Sequence, residues 1–308
     1  MDISIIIPTY NRLWSLPQTI ESCRNTSCSI EIIVIDDGSS DTTWEWLKSQ
    51  TDIKAIKQEN LGKCWAVNRG FELATGKYIR FLDSDDLLSP KANDEQLVLA
   101  EETGADVVVS GYQVIDENNK VLRSQLWVDC DDFIAQQLGE CDSSHYSSYL
   151  FRKNFIKDIP HRPDFAFRDD RLYVLETALK NPQVSIHHRY ALSHRVHTQE
   201  RLQFTSASNH MIQNAQHLKI YQKILGTLAK NDALNQRRKN ASLNTLWVLA
   251  HWIAKYDLKE ASSVVEWVFE MNPNFNPPEK GMLGKLYRTL GFKRTEKLLR
   301  FRRALIRP

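Results

Sequence analysis

Short, nearly all-apolar runs recur through the first third of the chain, and polar or turn-forming residues close each of them. Runs of this kind are typical of strands buried on both faces, as in a parallel sheet. The pattern predicts strands at residues 3–7, 30–35, 53–56, 78–82 and 106–110, and helices at residues 12–24, 41–49, 63–74 and 91–103. Alternating strands and helices predict a doubly wound α/β sheet with helices on both faces, which binds ligands at the carboxyl ends of its strands.

Beyond about residue 115 the alternation becomes less regular. The pattern predicts further strands at residues 121–128, 147–152 and 184–196, and a helix at residues 169–180. From about residue 205 to the C-terminus, the helical spacing of apolar residues dominates. We therefore expect an α/β domain over residues 1–204 and a helical C-terminal region over residues 205–308.

The charge of the chain is nearly balanced overall but not along its length. With 40 Lys and Arg against 38 Asp and Glu, the net charge is +2, which argues against a nucleic-acid-binding protein. Residues 280–308, however, hold ten Lys or Arg and one Glu, a net charge of +9 that leaves −7 for residues 1–279. The C-terminal segment is therefore suited to an anionic partner.

Cysteine usage and hydropathy predict a cytoplasmic protein. The five cysteines form no C-x-x-C pair, so neither a disulfide framework nor a zinc site is expected. The sequence lacks a long uninterrupted apolar run and the N-terminal pattern of a secretory signal, so neither a membrane-spanning helix nor secretion is expected. It also lacks the glycine-rich motifs of dinucleotide-dependent dehydrogenases and of P-loop enzymes, which argues against both classes.

Acidic clusters follow two predicted strands and begin a late helix: Asp36-Asp37, Asp83-Ser84-Asp85-Asp86 and Asp169-Asp170. Three carboxylates within four residues repel one another, so a cation is expected to neutralise the second cluster. Hard oxygen ligands favour Mg²⁺ or Mn²⁺. The alternative is an acidic turn in which Asp85 or Asp86 caps the next helix. The strand directly before the cluster and the acidic loop two strands earlier favour the metal.

Four segments of the sequence carry a family resemblance. They are "ISIIIPTYNR" (3–12), "EIIVIDDGSSD" (31–41), "NLGKCWAVNRGFELATGKYIRFLDSDD" (60–86) and the late Asp169-Asp170 pair. In this order and spacing they resemble the inverting family 2 glycosyltransferases of GT-A fold, over roughly residues 1–200. The resemblance implies a mixed GT-A-type sheet with a nucleotide-sugar half over residues 1–115 and an acceptor half over residues 116–204.

The same resemblance implies the residues that bind the nucleotide-sugar donor. Residues 8–11 would line the nucleotide pocket, largely through backbone groups, and Asp37 would contact the base. Lys63 would reach the base or the diphosphate. The implied donor contacts are Pro8, Thr9, Tyr10, Asn11, Asp37, Asn60, Gly62, Lys63, Asp83, Ser84 and Asp85.

The metal ligands follow from the same motif. Asp85 is the expected direct ligand of Mn²⁺ or Mg²⁺, with Asp83 and Asp86 in support. The segment "SHRVHTQ" (193–199) resembles a family element whose histidine helps to bind the metal or diphosphate, and His197 occupies that place better than His194. A histidine near a strand end is otherwise an ordinary surface or core residue.

The catalytic base is assigned to Asp170. The family's Glu-Asp motif matches Asp169-Asp170, with Asp in place of Glu at the first position and the base retained at the second. An inverting transfer needs one carboxylate to deprotonate the attacking hydroxyl, whereas a metal-neutralised diphosphate leaves without a protein acid. The alternative is that both residues cap a helix, and Asp169 is the more structural of the two.

The C-terminal helices admit two interpretations. Apolar stripes are expected over residues 281–290 and 293–307, and Gly291 separates the two helices. The stripes comprise Leu283, Leu286, Tyr287, Leu290, Leu298, Phe301 and Leu305. A basic amphipathic segment suits an anionic membrane surface, whereas the alternative is a packed, solvated terminal helix.

Together these observations predict a metal-dependent inverting hexosyl- or N-acetylhexosaminyltransferase. It would move a sugar from a nucleotide-diphosphate sugar to a hydroxyl of a surface polysaccharide or a lipid-linked glycan such as lipopolysaccharide. We expect it to be cytoplasmic and peripheral on the inner face of the membrane, attached through residues 280–308. The alternative is a catalytically silent subunit that binds nucleotide or glycan in an assembly complex.

Overall fold

The computed structural model describes residues 1–198 and 207–306, with side chains described up to Phe301. Within these residues the chain forms two compact units, one of residues 1–133 and 142–198 and the other of residues 134–141 and 207–306. The predicted boundary at residue 204 lies outside the described residues. The segment 134–141, which lies inside the predicted 1–204 domain, packs in the second unit.

One mixed sheet forms the first unit, as the sequence predicts. Its strands are β1 Ile3–Thr9, β2 Ile30–Asp36, β3 Lys54–Lys57, β4 Tyr78–Phe81, β5 Leu87–Leu88, β6 Val107–Ile115, β7 Val121–Gln125, β8 Leu150–Arg152 and β9 Val184–Arg195. They lie in the order β3-β2-β1-β4-β8-β6-β9-β5, and β7 pairs with β6. The β1–β4 half is parallel, whereas β8 joins β4 and β6 in antiparallel pairs. The predicted GT-A-type architecture is confirmed.

Helices cover both faces of this sheet and make up the second unit. They are α1 Leu16–Arg24, α2 Thr43–Lys48, α3 Lys63–Leu73, α4 Ala92–Thr103, α5 Phe133–Leu138, α6 Lys153–Ile156, α7 Asp169–Leu179, α8 Ala207–Lys230, α9 Gln236–Ile253, α10 Leu258–Met271, α11 Gly281–Leu290 and α12 Phe292–Ile306. Two separate apolar clusters flank the sheet, one around Ile6 and Phe81 and the other around Ile5 and Leu16. Alternate side chains of β1 therefore pack in the two clusters on opposite faces of the sheet, as expected for a strand buried on both faces.

Several element boundaries differ from the prediction. Helix α1 starts at Leu16 rather than at residue 12, and α2 has Thr42 rather than Asp41 as its N-cap. The Asp41 carboxylate still accepts the backbone N–H of Thr43 at 2.9 Å, so it stabilises the same helix end. The sequence pattern gave no sign of β5 or α5, because two- and six-residue elements are too short to show a period.

The second unit encloses an aromatic core. Trp247 on α9 contacts Tyr287 on α11 and Phe292 at the start of α12, with ring centroids 5.6 and 5.4 Å apart. Next to it, His251 Nδ1 lies 2.9 Å from the buried Glu296 carboxylate. Helices α11 and α12 therefore each pack through one face against α9. Among the described helices, none combines the length and apolar character needed to cross a membrane.

Candidate active site

The parallel half of the sheet brings three loops to one edge. Strand β1 lies between β2 and β4, and all three run in the same direction. Their carboxyl ends lead into residues 10–12, 37–41 and 82–86. Polar residues far apart in the sequence therefore meet at this edge, where α/β sheets bind ligands.

Asn11 joins the first two loops. Its backbone N–H donates to Ser39 Oγ at 2.9 Å, and its side-chain oxygen accepts the N–H groups of Ser40 and Asp41 at 2.8 and 3.2 Å. Asn11 adopts φ 52°, a left-handed conformation that asparagine tolerates well. Pro8 and Thr9 are buried in β1, and Tyr10 lies exposed beside them. The two loops thus form one continuous wall.

Asp37, directly after β2, holds the segment before α3 at the same edge of the sheet. Its carboxylate accepts the backbone N–H groups of Leu61 and Gly62 at 3.0 and 2.8 Å. Gly38, at φ 78°, lets the backbone of Asn60 approach so closely that a Cβ would lie 2.8 Å from its nitrogen. Asp37 therefore holds Leu61 and Gly62 at the edge, and Gly38 makes room for Asn60 beside them. The contact of Asp37 with a base stays a prediction.

The Asp83–Asp86 loop is anchored through Ser84. The Ser84 carbonyl accepts the hydroxyls of Ser15 at 2.8 Å and Thr19 at 3.0 Å, both at the start of α1. Asp86 is fully buried and accepts the backbone N–H of Arg195 at 2.9 Å. The loop is thus clamped between α1 and β9. Asp86 serves this clamp, which leaves Asp83 and Asp85 facing the site.

Asp85 and His197 form a pair suited to a divalent cation. His197 Nε2 lies 2.8 Å from an Asp85 oxygen, and the His197 side chain is fully buried. Two ligands at right angles, each about 2.1 Å from one ion, are themselves about 3 Å apart. A carboxylate and an imidazole at this separation fit a shared divalent metal. Arg12 Nε, 3.9 Å from Asp85, also offsets the negative charge there.

Lys63 connects the acidic loop to the late acidic pair. Its ammonium lies 2.7 Å from Asp83 and 3.2 Å from Asp170. Burial alone would lower the pKa of Lys63, but Asp170 and Asp83 raise it well above its ordinary value. Burial likewise opposes the effect of Lys63 on Asp83, and the ammonium lowers the pKa of that carboxyl to about 2. Lys63 is therefore a protonated ammonium between the two carboxyl groups, and the Asp83 carboxyl is ionised at neutral pH.

The two late acids occupy different environments. Asp169 is buried and accepts the backbone N–H of Arg162 at 2.5 Å, and it also bonds the ring of His161. The Asp170 side chain is 35% exposed and faces Lys63. Of the pair, Asp170 is therefore the acid that is open to a ligand, and it is linked to Asp83 of the acidic loop through Lys63.

Three residues of the site escaped the sequence analysis. Arg12 ends a recognised segment, but no feature of the sequence assigned it to the acids. His145 stacks on His194, with ring centroids 4.7 Å apart, and burial lowers its pKa. His161 contacts Asp169. Both of these histidines lie in irregular segments without periodicity, so only the fold brings them to the site.

The imidazoles of His145 and His194 and the Asp86 carboxylate lie within 4.8 Å of one another.

A family model described as glycosyl transferase family 2 matches residues 4–160, about half of the chain. The chain belongs to glycosyl transferase family 2. The match includes all the predicted donor residues and the Asp83–Asp86 loop, but it ends before Asp169. The family resemblance of the sequence is confirmed, whereas the roles of the individual residues stay predictions.

Named relatives of this family 2 chain differ in how much of it they cover. The putative glycosyltransferase EpsH of Bacillus subtilis is 28% identical, and the match covers 80% of this chain and 74% of EpsH. An uncharacterized glycosyltransferase of Rickettsia bellii is 42% identical over 40% of this chain, which spans only 18% of that relative's length.

Solved structures share the fold of this chain. The crystal structure of S. aureus TarS residues 1–349 in complex with UDP-GlcNAc has a TM-score of 0.58 and 15% identity, and covers 98% of this chain and 92% of that one. TarS residues 1–349 in complex with UDP give a TM-score of 0.54. At this identity the likeness shows the fold alone.

Proposed function

We propose that this protein transfers a sugar, with inversion, from a nucleotide-diphosphate sugar to a hydroxyl of a surface polysaccharide or lipid-linked glycan. The observation that carries this proposal is the position of Lys63, whose ammonium touches both Asp83 and Asp170. Asp83 and Asp170, 87 residues apart in the sequence, therefore both lie within reach of one side chain. A donor-binding acid and a candidate base lie side by side, as a direct displacement requires.

The residues have distinct roles in this proposal. Asp170 accepts the proton of the acceptor hydroxyl as the hydroxyl oxygen attacks the anomeric carbon, and the contact with Lys63 orients the Asp170 carboxylate. Asp85 and His197, with Asp83 in support, would hold Mn²⁺ or Mg²⁺. The cation would neutralise the charge that develops on the departing nucleotide diphosphate. Asp86 would support the metal from the loop clamp, where its carboxylate lies within 4.8 Å of ring nitrogens of His145 and His194.

The walls of the site suit a nucleotide. Tyr10 offers an exposed ring beside Asn11, and the loop that Asp37 organises presents Asn60 and Gly62. The structural neighbour TarS, solved with UDP-GlcNAc, supports a nucleotide-sugar as the donor class. In the alternative of a silent binding subunit, these walls would serve binding alone.

Calorimetry with a panel of UDP-, GDP- and dTDP-sugars tests this function. We expect at least one donor to bind in the presence of Mn²⁺ or Mg²⁺ and to bind roughly tenfold or more weakly in EDTA, because a cation held at Asp85 would offset the negative charge of the diphosphate. Nucleoside monophosphates, which lack the diphosphate, are the matched control and should show little metal dependence. Slow hydrolysis of the bound donor would separate an enzyme from a silent subunit. Failure of every donor to bind would overturn the proposal.

We further propose that residues 280–308 attach the protein to an anionic membrane surface, where a lipid-linked acceptor would lie. Leu298 and Phe301 are 52% and 67% exposed, and they follow the exposed Arg294 and Lys297 on α12. Packing of α12 uses other residues, since Phe292 and Glu296 are buried. Exposed apolar side chains among basic ones favour an interfacial helix. Leu305, the third member of the predicted stripe, lies outside the described side chains.

Vesicle co-sedimentation of a Leu298→Ser, Phe301→Ser variant tests the attachment. We expect roughly tenfold weaker partitioning onto anionic vesicles at low salt, because two apolar side chains lose their burial in the lipid. A Val121→Ser, Leu122→Ser variant, which removes two similarly exposed residues from β7, is the matched control. Point variants are preferable to deletion, since Tyr287 and Phe292 belong to a folded core. Equal partitioning of wild type and variant would contradict the proposal.

A further inference from the structure

The contacts of Asp169, the acid next to Asp170, indicate that a further residue contributes to catalysis indirectly. We propose that His161 is a positioning residue, which holds Asp169 and through it fixes the orientation of Asp170 at the start of α7. This inference rests on the proposed function, in which Asp170 is the base. His161 itself does not touch the reacting atoms in this proposal.

His161 is held rigidly from helix α3. Asn68 Nδ2 donates to the His161 carbonyl at 2.8 Å, and the His161 N–H donates to Asn68 Oδ1 at the same distance. The His161 ring is 2% exposed and stacks on Tyr173, with centroids 4.4 Å apart and an interplanar angle of 15°. An imidazole held by its backbone and by its ring face has little freedom to rotate.

The partners of the two ring nitrogens favour one tautomer of His161. The Tyr146 hydroxyl lies 2.8 Å from Nε2, and Nδ1 faces a carboxylate oxygen of Asp169. Burial raises the pKa of Tyr146 well above its ordinary value, so the hydroxyl keeps its proton and can donate to Nε2. Nδ1–H then donates to Asp169. This series of hydrogen bonds therefore runs from Tyr146 through His161 to Asp169, the residue next to the proposed base Asp170.

Asp169 fixes the helix end that carries Asp170. It is the first residue of α7, and Arg168 before it makes no side-chain cap in the described structure. Its carboxylate instead makes hydrogen bonds to residues earlier in the chain, namely the Arg162 N–H and the His161 ring. A carboxylate oxygen of Asp170 lies within 4.8 Å of the ligand atoms of both His161 and Asp169. If the Asp169 side chain lost these contacts, the first turn of α7 would be held less firmly, and the Asp170 carboxylate would lose its fixed position.

Helix α3 thus holds the base at two points. Lys63, its first residue, contacts the Asp170 carboxylate directly, and Asn68 holds His161, which holds Asp169. A base whose side chain is held by Lys63 and whose neighbour Asp169 is held by His161 needs little rearrangement to reach its productive geometry. Loss of His161 should therefore reduce the turnover rate more than it reduces the affinity for the donor.

A double-mutant cycle between His161 and Asp170 tests the inference. His161→Phe keeps the ring on Tyr173 but removes both ring nitrogens. We expect kcat to fall roughly 10–100-fold, with the donor Kd within about twofold of wild type. In the Asp170→Asn background the same substitution should lower the residual single-turnover rate by less than about twofold, because there is no base left to position. His161→Asn, whose amide can still donate to Asp169, should restore part of kcat.

The outcomes separate the inference from the function on which it rests. Equal rate losses in the wild-type and Asp170→Asn backgrounds would show a general structural effect and overturn the role of His161. Near-normal transfer by Asp170→Asn alone would instead refute the proposed base. If His161→Phe does not fold, Tyr146→Phe replaces it in the cycle, since it removes only the donor to Nε2. That variant should lower kcat several-fold in the wild-type background and leave the rate of Asp170→Asn unchanged; additive losses would again overturn the inference.

Discussion

Replacing Asp170 by asparagine is expected to lower the rate of sugar transfer by roughly 10²–10⁴-fold, the usual range for loss of a general base. The amide keeps the size of the carboxylate but cannot accept the proton of the attacking hydroxyl. Donor affinity should persist, because Asp85 and the loop walls are untouched. Single-turnover kinetics with saturating donor, beside a calorimetric donor titration, measures the two effects separately.

The matched control for this variant lies on the same helix. Glu176→Gln removes another α7 carboxylate, one that contacts Arg162 rather than Lys63, and it should keep near-normal transfer. Asp169→Asn is expected to lower thermal stability as well as rate, since Asp169 is buried and bonded to His161. A mild Asp170→Asn variant together with a nearly inactive Asp169→Asn variant that keeps wild-type stability would reverse our assignment within the pair.

Replacing Asp85 by alanine should reduce metal-dependent transfer by roughly 10³-fold. A metal ion contributes several kcal/mol of charge stabilisation, and each 1.4 kcal/mol corresponds to a factor of ten. Metal-dependent donor binding should weaken in parallel, because the carboxylate opposite His197 would be gone. Manganese titration followed by calorimetry and by transfer assays measures both effects.

A surface acid controls for the loss of negative charge in this variant. Asp52→Ala breaks an ion pair with Arg24 at the surface and should leave both the transfer rate and the manganese dependence unchanged. His197→Asn should weaken manganese binding less than Asp85→Ala, since one ligand and its charge remain. If Asp85→Ala transferred sugar at nearly the wild-type rate in EDTA, the metal assignment would be wrong.

Local patterns in the sequence were sufficient for the parallel half of the fold. The runs that predict strands at residues 3–7, 30–35 and 78–82 became β1, β2 and β4, because a strand buried on both faces must be apolar along its whole length. The helix predicted at 63–74 is α3 with a one-residue difference at its end. The antiparallel half was less predictable. Strand β8 has three residues, and its pairing with β4 and β6 depends on partners distant in the sequence.

The sequence by itself determined the family, the fold class and the acidic residues of the candidate site. These features reside in short segments whose residue types carry the chemistry, such as the carboxylates of residues 83–86 that follow a buried strand. Only the tertiary structure decided which acids face the site: Asp85 opposes His197, Asp86 is buried on the N–H of Arg195, and Asp170 meets Asp83 across Lys63. The physical reason is that burial and partner contacts depend on strand order and on irregular loops. No local period encodes either, so histidines such as His145 and His161 acquire their partners only when the chain folds.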